Sequence, residues 1–295
     1  MTSRQISRLL YRGTAEAIPD LEARTRAIAT ADRQVNRRTL RPLKDSGYIT
    51  VVRPFLLGDS APLAQKEVNV LTAKGAEIVK QAYAAQERGQ SLRWSRSWLE
   101  IGNTNQVHAS LLSDLYILAR RAMGDGWRLV GWRDDRDLAQ LTQQGLTALQ
   151  HTIPDAVFVL SLRKDTGKVW HLPFLIQLDL GTETIFSARN PTRDWTAKIE
   201  RYRTYFAGPV RVDPLWSGIA EPPRVLCLTT SDRRLRNLVE ATRTAGGDDR
   251  YWFATIDHLR DDRDPISAFW HSAWLTAGSG TSHTLAHLSG NLVPS

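Results

Sequence analysis

The run Arg33-Gln34-Val35-Asn36-Arg37-Arg38-Thr39-Leu40-Arg41-Pro42-Leu43-Lys44 decides how the first third of the chain is read. Arg33, Arg37, Arg41 and Lys44 stand at i, i+4, i+8 and i+11, a spacing that puts four cations on one face of a helix. Val35, Leu40 and Leu43 fall on or near the opposite side and can anchor that helix to a core. Arginine is the side chain best suited to forked contacts with guanine edges and phosphates. Arg38 adds a further guanidinium, and Gln34 and Asn36 add groups able to read adenine. Pro42 lies inside the same helix and should kink it, because it removes a backbone hydrogen bond.

Outward from this run, Arg4–Arg12 reads as a short helix, followed by a polar connector containing Pro19. The basic helix is expected from about Ala31 to Ser46, with Gly47 ending it. Tyr48–Arg53 alternates and is rich in β-branched residues, as a strand should be. Pro54–Ala64 reads as a loop and Lys66–Leu71 as a second strand, and Thr72 then caps a helix running to about Gln86. Helix, helix, two strands and a closing helix describe a winged helix-turn-helix over residues 1–90. Arg53 and Lys66, at the ends of the hairpin, are placed to touch the flanking backbone of a bound duplex.

Charge follows the same division. The chain of 295 residues has a net charge of +8, and residues 1–90 hold 15 Lys/Arg against 9 Asp/Glu. The remainder holds 24 against 22. A concentrated basic region suits phosphate neutralisation, since each neutralised phosphate releases condensed counterions. No stretch reaches the roughly 20 apolar residues a membrane span needs, and no apolar signal region follows Met1 and Arg4. Cys227 is the single cysteine. One thiol builds neither a disulfide framework nor a thiolate zinc site, so a reducing, cytoplasmic location is expected.

Residues 100–275 read as a second domain, α-β-β-β-α-β-α-β, a mixed sheet flanked by helices. Its elements are an amphipathic helix at Asn105–Met123 and strands at Arg128–Trp132, Ala156–Leu162 and Val169–Leu180. Helices at Asp194–Phe206 and Asp232–Thr244 and strands at Arg224–Thr230 and Tyr251–Ile256 complete it. Lys164–Lys168, with its glycine, is good hairpin chemistry. The tail, 276–295, is Gly/Ser/Thr-rich and is expected to be loosely ordered. The fold class is therefore α+β, with an N-terminal winged helix followed by a mixed α/β domain.

One constellation in this second domain carries chemistry. Pro154-Asp155 opens a strand, Gln177-Leu178-Asp179 closes the next, and Lys198 stands on the helix that follows. Metal-dependent nucleases need carboxylates converging on Mg²⁺ and a lysine to orient the attacking water. The order resembles the PD-(D/E)xK restriction-endonuclease-like superfamily. That resemblance implies a degenerate site of Asp155, Gln177, Asp179 and Lys198, with Asp155 and Asp179 as Mg²⁺ ligands if it is active. The acid-x-Lys element is missing here, and Lys198 would substitute for it from the helix. No cofactor is otherwise expected. No Walker-type phosphate loop and no GxGxxG is present, so nucleotide hydrolysis and dinucleotide binding have no support. His283 and His287 lack a third ligand and read as solvent-facing, and Asp134, Asp135 and Asp137 as a solvated loop.

Several stretches in order make the chain resemble the replication-relaxation family of plasmids and other bacterial mobile elements. They are Gln5–Leu10, the basic helix, Val68–Gly75, His108–Leu115, Pro154–Ala156, Phe174–Glu183 and Lys198–Tyr202. The resemblance implies a winged helix joined to an endonuclease-like domain, and a role in plasmid replication, DNA relaxation or mobilisation. Relatives carry Glu where Gln177 stands, which weakens the case for catalysis. Three functions remain open at this point: a non-catalytic DNA-binding factor, a Mg²⁺-dependent nuclease or nickase, and an adaptor docking on a relaxase or replication protein. Double-stranded DNA is the expected partner, and homodimerisation through the helix after Thr72 is an alternative to that helix packing on its own module.

Overall fold

The computed structural model describes residues 1, 3–10, 18–52, 68–85, 103–124, 126–149, 152–163, 169–181, 183–187, 194–259 and 265–288. Arg53, Lys66, the loop at 54–64, the linker at 87–96 and the turn at 164–168 lie outside them. The chain divides into two compact units, Met1–Ile117 and Leu118–Ser295. It is a mixed α+β protein, with a helical N-terminal region and a large mixed sheet.

In the first unit α1 spans Ser3–Leu10, and α2 spans Leu21–Gln34. α2 starts well before the expected Ala31. Its cap explains the early start: the Asp20 carboxylate accepts from the Ala23 amide at 2.7 Å, in extended backbone that opens a helix. Residues 21–31 are rich in alanine and long polar side chains, which favour helix without marking an apolar stripe.

The helix runs on through one π-helical turn, Val35–Leu40, into α3, Arg41–Asp45. The Arg41 amide donates to the carbonyl of Asn36, five residues back. This is the form the disturbance at Pro42 takes. An ordinary α-turn would drive the proline ring into the carbonyl of Arg38, and the wider turn directly before it avoids that. The same turn serves the core. Val35 and Leu40 would stand about 140° apart around an α-helix, yet both are buried.

Gly47, at φ +72°, ends α3, and β1 (Ile49–Val52) pairs antiparallel with β2 (Val68–Leu71). Thr72 caps α4 (Ala73–Ala85) as its sequence suggests, accepting from the Gly75 amide at 3.1 Å. Gly75 is required by space, since a Cβ there would sit 2.0 Å from the Tyr48 carbonyl oxygen. The order is helix, helix, hairpin, helix. α5 follows at Asn103–Arg121. The buried side chains of Gln5 and Arg8 tie α1 to it: Gln5 Nε2 donates to the Ser110 carbonyl (2.8 Å), and Arg8 Nη1 donates to Asp114 Oδ1 (3.1 Å).

The second unit is built on one seven-stranded sheet in sequential order. Its strands are β3 (Trp127–Asp134), β4 (Ala156–Arg163), β5 (Val169–Asp179), β6 (Arg224–Thr229), β7 (Tyr251–Thr255), β8 (Trp274–Thr276) and β9 (Ser282–His283). Only β5, β6 and β7 run parallel. Their crossovers are α7 (Trp195–Ala207) and α8 (Asp232–Thr244), capped by Asp194 and Ser231. Both helices bury one side against the same sheet face, where Trp195, Ile199, Tyr202, Leu235 and Leu238 meet Val157, Leu175, Cys227 and Phe253. Each such large side chain, fully buried, stabilises by roughly 2–3 kcal/mol.

Asp134 ends β3 and caps α6 (Asp135–Gln143), accepting from the amides of Arg136 and Asp137, so the expected acidic loop is a strand-to-helix junction. A short helix, α9 (Pro265–Trp270), precedes β8. Within 276–295, β9 pairs with β8, a turn of helix (α10, Leu285–Leu288) buries Leu285 and Ala286, and His283 stacks on Trp252 with ring centres 5.4 Å apart. No helix of the described residues is long and apolar enough to cross a membrane.

Candidate nucleic-acid interface and buried polar site

The basic helix presents its cations outward. Arg33, Asn36, Arg37, Arg38 and Arg41 are exposed, Gln34 and Lys44 are half-buried, and Val35 and Leu40 face inward. Arg33 folds back on its own helix, with Nη2 donating to Thr30 Oγ1 at 3.3 Å. Arg41 stands 3.8 Å from Asp45, and with both side chains over two-thirds exposed that pair is worth little. Arg37 and Arg38 have no hydrogen bond or ion pair among the described residues. Arg37 and Arg38 are thus displayed without being spent on internal structure, while Arg33 and Arg41 keep weak, exposed contacts to their own helix.

In the second unit, strand order brings Asp155, Gln177, Asp179 and Lys198 together on the helix-covered face of the sheet. Asp155 stands just before β4, and its Oδ2 accepts from the Leu178 amide at 2.6 Å. Gln177, buried in β5, donates through Nε2 to the Tyr202 hydroxyl at 2.6 Å and accepts from Lys198 Nζ at 3.1 Å. Lys198 rises from the first turns of α7, with its ammonium 2.8 Å from Glu183 Oε2. Asp179, the last residue of β5, is held on every side. Arg234 donates to both its oxygens (2.8 and 3.0 Å), Thr229 Oγ1 donates at 2.8 Å and the Gly181 amide at 3.3 Å. The Arg234 guanidinium also donates to the carbonyl of Glu183.

These groups are felt at their neighbours. Burial pushes the Cys227 thiol well up; Lys198 opposes the shift, and the carboxylates of Asp179, Glu183 and Asp155 reinforce it. Burial likewise raises the Tyr202 hydroxyl, with the Gln177 hydrogen bond opposing and Asp155 adding to it. Asp194, the cap of α7, goes the other way. Burial would raise its carboxyl, but the Ala197 amide, the Thr196 hydroxyl and the Ser187 amide, with Arg201 nearby, hold it below its ordinary value.

A divalent cation such as Mg²⁺ needs carboxylate lone pairs facing a common point. Here Arg234, Thr229 and Gly181 occupy those of Asp179, Lys198 engages Glu183, and the amide Gln177 stands between them. In this arrangement the side chains do not fit Mg²⁺. Among the described residues no group of three His, Cys, Asp or Glu is placed to hold a metal.

Sequence reasoning missed Glu183, Tyr202, Thr229 and Arg234 as members of this site. Glu183 stood in a stretch already singled out, six residues from Gln177, and an acid so near the strand end was the available signal. Nothing in the sequence links Arg234 to Asp179.

Comparison with curated proteins and with solved structures finds no match. A family model, described as replication-relaxation, matches residues 1–213. That span takes in the basic helix, the β1–β2 hairpin, the ties of Gln5 to Ser110 and Arg8 to Asp114, and all four expected residues of the buried polar site, while Arg234 lies beyond it. On that match over most of its length, the chain belongs to the replication-relaxation family.

Proposed function

We propose that the protein is a DNA-binding accessory factor of a plasmid or other mobile element, acting without catalysis in its replication, relaxation, mobilisation or transcriptional control. The observation that carries this is the row of exposed arginines, with Arg37 and Arg38 internally unspent among the described residues, on a helix anchored by Val35 and Leu40. In this reading the first unit is a winged helix, the basic helix enters a groove of the duplex, and β1–β2 is the wing. The helix-helix-hairpin-helix order supports it. In the same reading the second unit is an endonuclease-like fold, its strand-strand-strand-helix-strand run interrupted by α6 after β3, around a site that has lost its anionic character. Gln177 replaces an acid, and Arg234 and Lys198 neutralise Asp179 and Glu183.

The test is duplex binding by fluorescence anisotropy across a salt series, for the wild type and for Arg37→Ala/Arg41→Ala. Each lost phosphate contact should reduce the slope of log affinity against log salt by about 1. An identical slope in the double variant would remove this helix from the interface.

A further inference from the structure

The segment that leaves the carboxyl end of β5 is tied down by α8 and by the start of α7. Arg234 holds the Glu183 carbonyl, the Thr184 carbonyl accepts from the Trp195 amide at 3.0 Å, and the Ser187 amide donates to Asp194 Oδ2 at 2.8 Å. Between these anchors Phe186 projects into solvent, 71% exposed. A phenyl ring held on a pinned backbone and left in water contributes nothing to this fold. Joined to this segment through Arg234 and the Glu183 carbonyl, α8 opens with Asp232-Arg233-Arg234-Leu235-Arg236. Arg234 turns inward to Asp179, while Arg233 and Arg236 are exposed and have no hydrogen bond or ion pair among the described residues. Asp232, exposed in the same turn, offsets one of the two charges.

We propose that this rim binds single-stranded nucleic acid, with Phe186 as the platform on which a base stacks and Arg233 and Arg236 as contacts to the flanking phosphates. An exposed flat apolar ring and unpaired guanidinium groups on two segments joined by the Arg234–Glu183 hydrogen bond are what a flexible strand with accessible base faces requires. A duplex keeps those faces stacked and would leave Phe186 exposed. The carboxyl edge of parallel strands is also where open α/β sheets place their ligands.

The experiment uses the full chain carrying Arg37→Ala/Arg41→Ala, so that the basic helix of the first unit does not mask the second. A labelled oligothymidylate of about twenty nucleotides is titrated by anisotropy. Adding Phe186→Ala should weaken binding about tenfold, since a base stacked on an aromatic side chain contributes about that much. Phe186→Trp should restore it, with the new indole emission quenched on binding. Arg233→Ala/Arg236→Ala should lower the salt slope by about 1.4 for two single-strand phosphate contacts. Absence of oligothymidylate binding, or equal affinity with and without the Phe186 ring, overturns the proposal. Either result leaves the duplex reading of the first unit intact, because that reading stands on Arg37 and Arg41 alone.

Discussion

Arg234 grips Asp179 through two parallel hydrogen bonds, Nε to Oδ2 at 2.8 Å and Nη2 to Oδ1 at 3.0 Å, although 55 residues separate them. The carboxylate is 1% exposed and the guanidinium 18%. Removing one partner of such a pair strands a buried charge. Arg234→Ala should therefore cost about 3 kcal/mol in urea unfolding of the second unit. A loss below about 1 kcal/mol would mean that Thr229 and Gly181 alone hold Asp179.

Metal dependence is the next point. With Asp179 and Glu183 already neutralised, millimolar Mg²⁺ or its removal by EDTA should leave the melting temperature unchanged, because only a ligand that binds the native state shifts it. Supercoiled plasmid should also remain unnicked. A Mg²⁺-dependent rise in melting temperature that vanishes in Asp155→Ala would restore the nuclease assignment.

Cys227 offers a probe of the same site from behind. Its thiol is buried and its ionisation is suppressed by burial and three nearby carboxylates, with Lys198 opposing. Only the thiolate reacts readily. The native protein should be inert to a thiol reagent at neutral pH and react stoichiometrically in denaturant. Fast labelling of the native state would show that the sheet or its covering helices open at β6.

Asp194 sets a pH dependence. Its carboxyl is held below the ordinary value in the fold, so its contribution is fully present above the unfolded value, near 3.8, and is lost as pH falls through the lower folded one. Asp194→Ala should cost about 1–2 kcal/mol at pH 7, the usual loss for an N-cap. The gap to the wild type should narrow progressively as pH falls below 3.8, read from urea midpoints across that range. A gap that does not narrow would make the effect one of packing.

Most of the second unit was legible because its signals are local. Asp194 and Ser231 mark helix starts, the apolar run at Val169–Asp179 marks a buried strand, and Asp155, Gln177, Asp179 and Lys198 meet because strand order brings them together. The Arg234–Asp179 pair was illegible, since an arginine in the first turn of a helix looks the same whether it faces water or a carboxylate. The early start of α2 was hidden by a segment whose helical propensity comes without amphipathic contrast, and only its cap residue, Asp20, hinted at it.

The widened turn at Val35–Leu40 holds one residue more than regular α-helical winding would place there. Deleting a single position within 35–40 would restore uniform winding and leave Arg41 and Lys44 pointing as they do relative to Arg33, because the extra residue adds no net rotation. A helix one residue shorter would therefore still display its cations in one row, and a length polymorphism at this spot would leave binding in place.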